Sequence, residues 1–181
     1  MVFTAVLVLC TLIMLMSCKS ASAGDDYSRE VAAEIRNFLI ADDWNFDFDE
    51  EKGIFRFGVN ISGKLKHVNY FVPVHRDSYT VYAISPINAD SDDSAAIREI
   101  AAFLSRANYG LRIGNFELDC DDGEIRFKVY TPCNDITPSR EMVKASIIVP
   151  AMMFERYSPG ILSVIFTGES AEDAIKTCED D

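Results

Sequence analysis

A sixteen-residue segment that occurs twice limits the folds open to this chain more than any other feature. Residues 45–60, NFDFDEEKGIFRFGVN, and residues 115–130, NFELDCDDGEIRFKVY, agree in place at seven positions, at a constant offset of 70. Apolar and polar residues alternate on both sides of a polar, Gly-containing centre, the pattern of a β-hairpin with one buried face. In the later copy Asp122-Gly123 predicts a two-residue turn, because its left-handed backbone suits Gly, Asn and Asp. Leu118 then faces Phe127, Phe116 faces Val129 and Cys120 faces Ile125 on the apolar side, while Asp119 meets Arg126 and Glu117 meets Lys128 on the other. Lys52-Gly53 predicts the same register in the earlier copy, with Phe48 opposite Phe57, Phe46 opposite Val59 and Asp49 opposite Arg56. Each such pair contributes roughly 0.2–1 kcal/mol, and burial of the aromatic side contributes more.

A helix precedes each hairpin. Ser28 can cap one that runs to about Ala41, with Val31, Ile35, Phe38 and Leu39 at helical spacing. Ser91 or Asp92 can cap a second to about Ala107, with Ile97, Ile100, Ala101 and Leu104 as its apolar stripe. Between them, residues 66–74 alternate as a third strand, with Pro73 confining its end to an edge or a bulge. After the polar turn 75–78 a fourth strand follows over 79–86. Towards the C-terminus, Thr137-Pro138 starts a strongly apolar helix that Pro150 should kink. Ser158-Pro159 restarts it to about Phe166, Gly168 ends it, and Ser170 to Asp173 resembles a capping box for a last short helix. These signals predict an α+β fold in the order α-ββββ-α-ββ-α-α, antiparallel hairpins or a meander packed against helices. The helix-plus-hairpin unit is duplicated inside one domain, 24–181.

The chain has 181 residues, 49% of them apolar, enough to bury a sizeable interior. A formal charge of −12 with no basic stripe argues against nucleic acid. Residues 1–23 read as a leader, since 5–16 is an apolar run of signal-peptide rather than membrane-spanning length. Leu15-Met16-Ser17-Cys18 looks like a lipobox that would make Cys18 a lipidated N-terminus, and Ala21-Ser22-Ala23 looks like an ordinary cleavage site. Both place the protein in a bacterial cell envelope, exported or lipid-anchored, with the membrane reached only through Cys18. The segment before the apolar run carries no Lys or Arg. A start at Met14 or Met16 would instead leave a cytoplasmic protein.

Residue types capable of chemistry are present without the spacing that chemistry needs. His67 and His75 would lie about 26 Å apart on one straight strand, and no C-x-x-C or H-x-x-x-H occurs. Glu117, Asp119, Asp121 and Asp122 lack the glycine position and the twelfth-position Glu of a calcium loop. No cofactor, metal site or catalytic residue is therefore assigned. A metal-dependent or hydrolytic envelope enzyme using His75 and Asp77 is one alternative, and a structural lipoprotein another. The clearest functional signal is aromatic: Phe71 and Tyr79 occupy positions that a four-stranded meander directs to its second face or edge. Such a face is covered by a helix or by another protein, either a docked peptide or a second copy.

Four stretches, DWNFDFDEEKGIFRFG (43–58), NYFVPVHRDSYTVYAISP (69–86), RANYGLRIGNFELDCDDGEIRFKVY (106–130) and FERYSPGILSVIFTG (154–168), resemble the YbjN family, bacterial proteins labelled sensory transduction regulators. The resemblance covers nearly all of the chain beyond the leader. It implies a fold similar to that of type III secretion chaperones, small acidic α+β proteins that bind other polypeptides and commonly dimerise. It carries over no catalytic residue. The expectation is a non-catalytic interaction module, chaperone-like or regulatory, with a protein or peptide partner.

Overall fold

In the computed structural model, which describes residues 26–179, each of the four described helices starts at a side-chain oxygen that accepts an otherwise unpaired backbone N–H. Ser28 does so for α1 (Arg29–Ala41) and Asp93 for α2 (Ser94–Asn108). Ser139 and Ser170 do so for α3 (Arg140–Thr167) and α4 (Ala171–Glu179). The leader, with Cys18, lies outside the described residues. Six strands accompany the helices: β1 (Asp47–Asp49), β2 (Ile54–Asn60), β3 (His67–Pro73), β4 (Ser78–Ile84), β5 (Asn115–Leu118) and β6 (Ile125–Pro132). They form one antiparallel sheet in the order β1-β2-β3-β4-β6-β5, an α+β fold with the expected element order. The duplicated hairpins form its two opposite edges.

Both hairpins depart from the predicted register in the same way. Each is closed by a four-residue loop: Gly53 N–H donates to the Asp49 carbonyl at 2.8 Å, and Gly123 N–H donates to the Asp119 carbonyl at 2.9 Å. Asp49 Oδ1 accepts from the Glu51 and Lys52 amides, and Asp119 Oδ1 accepts from the Asp121 amide. The aspartates thus stabilise wide loops where two-residue turns are expected. The ladder is displaced by two residues, to Asp47–Arg56, Phe48–Phe55, Phe116–Phe127 and Glu117–Arg126. Side chains alternate with period two, so an even displacement leaves every strand face as predicted. Cys120, expected on the inward face, instead falls in the loop and is exposed.

The glycines of the two loops are matched in role as well as position. Both have positive φ, +66° at Gly53 and +76° at Gly123, and both carbonyls accept a hydrogen bond from a neighbouring segment, from Val74 and Ala89 respectively, at 2.9 Å. A Cβ at Gly53 would overlap the Tyr27 ring, and one at Gly123 would overlap the Ala89 carbonyl. Each hairpin tip is therefore docked through a site that only glycine fits.

One face of the sheet carries the core. Phe57, Tyr70, Ala83, Phe127 and Phe116 are successive partners across five strands, and all are buried. Helix α3 lies over β4 and β6, flanked by α1, α2 and α4. Phe116 presents its ring at steep angles to Phe127, Phe154 and Tyr157, at centroid distances of 4.8, 5.3 and 5.7 Å, geometry favoured by the ring quadrupoles. The expected break at Ser158-Pro159 does not occur: α3 is one helix of 28 residues through both Pro150 and Pro159. Next to Pro150 in the ladder, the buried Tyr70 hydroxyl donates to the Ile147 carbonyl at 2.8 Å, tying β3 to the middle of α3. At the β5 edge, the Asn108 side chain accepts from the Phe116 N–H at 2.7 Å and donates to the Phe116 carbonyl at 3.0 Å.

Candidate functional site

No described helix lies over the second face of the sheet. Asp47, Arg56, Phe71, Tyr82, Lys128 and Asn115 form one continuous row of cross-strand partners spanning all six strands. The next row contains Gly58, Asn69, Ile84, Arg126 and Glu117. At the centre the half-buried rings of Phe71 and Tyr82 lie 6.3 Å apart, tilted by 33°. Arg56 stands 5.3 Å from the Phe71 centroid and Arg126 stands 4.6 Å from the Tyr82 centroid. Each cation–π contact at this exposure contributes about 0.5–1 kcal/mol, so the arginines hold the rings in a fixed attitude.

The duplication is visible in this arrangement. Positions 47 and 56 of the first hairpin correspond to 117 and 126 of the second, and both pairs place a carboxylate directly opposite an arginine. Shallow depressions flank the aromatic pair at these two places. One, of about 360 Å³, includes Asp47, Arg56, Asn69, Phe71 and Ile84 in its lining. The other, of about 610 Å³, includes Glu117, Asp119, Cys120 and Arg126. Glu117 accepts from Arg126 at 2.8 Å and from Lys128 at 3.1 Å. Partial burial works to raise the Glu117 carboxyl, but these bonds and the two positive charges outweigh it and hold the group below the usual carboxylate range. The same partnership overcomes burial in the opposite sense at Arg126 and raises it. The charged lacing of the outer face is as the sequence predicts, with Glu117 rather than Asp119 as the partner of Arg126.

The scan against protein-family models and the search of curated proteins both find no match.

Of the two aromatics expected at this surface, Phe71 is on it and Tyr79 is not. Tyr79 pairs with Val74 across the 75–78 turn, which assigns it to the inward side. It is fully buried, its hydroxyl lies 3.0 Å from that of Ser146 on α3, and burial pushes its pKa up. Its cover is the protein's own helix, so the partner-surface assignment of Tyr79 is corrected. The ring beside Phe71 is Tyr82, which the sequence reading missed although the same turn placement, with 74 opposite 79, sets 71 opposite 82.

The other reactive residue types are spent locally. His67 hydrogen-bonds with the Asn60 and Asn69 side chains, and exposed His75 helps to close its turn through the backbone. Asp119 and Asp122 accept from loop amides. Cys133, the thiol nearest Asp77, is buried, and burial together with the Asp77 charge pushes its pKa up, which disfavours the nucleophilic thiolate. Among the described residues no group of three His, Cys, Asp or Glu side chains could hold a metal ion, and no helix is long and apolar enough to cross a membrane.

Proposed function

We propose that the protein is a non-catalytic polypeptide-binding module, chaperone-like or regulatory, that receives a partner segment across the open face of its sheet. One observation carries this reading: a six-stranded sheet with its described helices on one side presents the Phe71–Tyr82 pair, bracketed by Arg56 and Arg126, on the other. Phe71, Tyr82 and Ile84 offer apolar area for a partner's side chains, the kind of aromatic surface that anchors interfaces. Exposed Asp47 at one edge and the exposed loop carboxylates Asp119, Asp121 and Asp122 at the other would select basic flanks. The resemblance to the YbjN family and its chaperone-like relatives supports the same role.

The test is a photo-crosslinking amino acid placed at Phe71 and, separately, at Tyr82, with the captured peptides sequenced by mass spectrometry. The expected product is a recurring apolar segment flanked by Lys or Arg, lost when the other aromatic is changed to Glu. Equal capture by probes on the helical side would sink the reading. We further propose that the leader directs the protein to a bacterial cell envelope, with Cys18 lipidated or the chain cleaved after Ala23. Intact mass of the mature N-terminus, with Cys18→Ser as comparison, decides this, and a mature chain starting at Met14 or Met16 would place it in the cytoplasm.

A further inference from the structure

The two ends of the sheet, about 20 Å apart along β4, differ in chemistry. At one end the described chain begins: the Ser28 N–H donates to the His75 carbonyl at 3.0 Å, on the turn between β3 and β4, and the Val74 N–H ties the first hairpin tip to the same place through Gly53. Ser78 pairs there with Pro132, and the Cys133 N–H donates to the Asp77 carbonyl at 2.7 Å. Asn115, the first residue of β5, pairs with Lys128, so the 109–114 loop enters the sheet from this end too. The other end holds the 85–93 segment and the second hairpin tip, joined by the bond from the Ala89 N–H to the Gly123 carbonyl. Segments 85–93 and 118–124 carry seven carboxylates and no Lys or Arg. Around the start of the described chain, segments 26–29, 50–53, 75–78, 109–114 and 132–136 carry five carboxylates and four Lys or Arg. This near-neutral end also presents apolar side chains from its loops: Tyr109 is 91% exposed, Ile136 57% and Ile113 43%.

We infer that this end lies against a lipid bilayer, with Tyr109, Ile113 and Ile136 entering the headgroup layer and the acidic end held away from it. The inference rests on the reading of Cys18 as a lipidated N-terminus. From Cys18 to Asp26 the chain reaches at most about 28 Å, whereas a domain of this size is about 40 Å across. Turning the acidic end to the bilayer would lift Asp26 beyond that reach. Tilted attitudes are opposed by charge, because anionic headgroups repel the seven carboxylates within a Debye length of about 8–10 Å. The exposed side chains suit the place: a tyrosine ring sits at the headgroup level, and isoleucines bury in the boundary between headgroups and acyl chains. In this attitude the strands stand away from the membrane, and the Phe71–Tyr82 face stays clear of lipid for a polypeptide.

The test uses the full chain, processed by a bacterial host and placed in vesicles of phosphatidylethanolamine and phosphatidylglycerol that contain brominated phosphatidylcholine. A fluorophore is attached to Cys120, exposed at the acidic end, or to Tyr109→Cys in a Cys120→Ser background, with the label carried by the Cys120→Ser parent subtracted. Bromine quenches a probe only where it meets lipid. Loss of fluorescence at 109 with none at 120 is expected, and Ile113→Asp combined with Ile136→Asp should reduce that loss while circular dichroism stays unchanged. Intact mass of the same samples separates the two claims. A lipidated chain whose probe at 109 is quenched no more than that at 120, or whose quenching ignores the two aspartates, overturns the orientation and leaves the anchor standing. A mature chain without lipid overturns both.

Discussion

Replacing Gly123 by alanine isolates what the docked hairpin tip contributes. Alanine at φ +76° costs about 1 kcal/mol for the left-handed backbone alone. Its Cβ would in addition overlap the Ala89 carbonyl, so the tip must move away from the 85–90 segment. That movement breaks the Ala89 N–H to Gly123 carbonyl bond and leaves groups there short of partners, a further cost of about 2 kcal/mol. The total of about 3 kcal/mol corresponds to a fall in melting temperature of about 6–12 °C for a domain of this size. Gly110 supplies the control: its φ is +85°, and a Cβ there meets nothing within 4 Å. Gly110→Ala should therefore lose only the backbone component, about 1 kcal/mol. Thermal and urea unfolding of both variants, analysed as two-state transitions, provide the comparison. Equal destabilisation by the two substitutions would refute the claim that tertiary docking, beyond turn conformation, fixes this glycine.

Tyr70→Phe should lower stability by about 1–3 kcal/mol in urea unfolding, because it strips the hydroxyl from the Ile147 carbonyl beside Pro150. Glu117 has a folded-state pKa below its unfolded value, so its stabilisation is complete above the ordinary carboxylate range and disappears as pH falls through the lowered folded value. Glu117→Gln should accordingly be less stable than wild type at neutral pH, with the gap closing as unfolding is repeated below about pH 4. Alkylation of the native protein near neutral pH should modify exposed Cys120 well before buried Cys133, whose thiol is kept protonated by burial and by Asp77. Peptide mapping over time measures the order, and equal rates would contradict the placement of the second hairpin loop.

The strands and their faces were legible in the sequence because both depend on period-two alternation, which survives a register error of two residues. The register itself was not. It depends on Asp49 and Asp119 folding back onto loop amides, a local choice that Asp-Gly and Lys-Gly pairs do not disclose. Tyr79 shows the complementary failure: its alternation was sound, but the side it belonged to followed from Val74 across the turn. Continuity of α3 through two prolines was illegible for a further reason. Tertiary contacts such as the bond from Tyr70, far away in sequence, to the Ile147 carbonyl belong to the packed helix and leave no local signal in residues 140–167. The aromatic row on the open face was only half visible, since Tyr82 acquires meaning once it is seen opposite Phe71.

The asparagine at the end of α2 has a consequence for how this molecule meets others. A sheet can be extended by any chain that finds free amides and carbonyls along its rim, which is how amyloid and swapped assemblies grow. At β5 the Phe116 N–H and carbonyl are already taken by Asn108, so an incoming strand would have to evict a side chain that imitates it. The opposite rim is the three-residue β1, with Asp47 and Asp49 at its ends. Growth by strand addition is blocked at one side and has little template at the other. A molecule closed in this way is held back from polymerising along its rim, and the broad surfaces of its two layers are what it has to offer a partner.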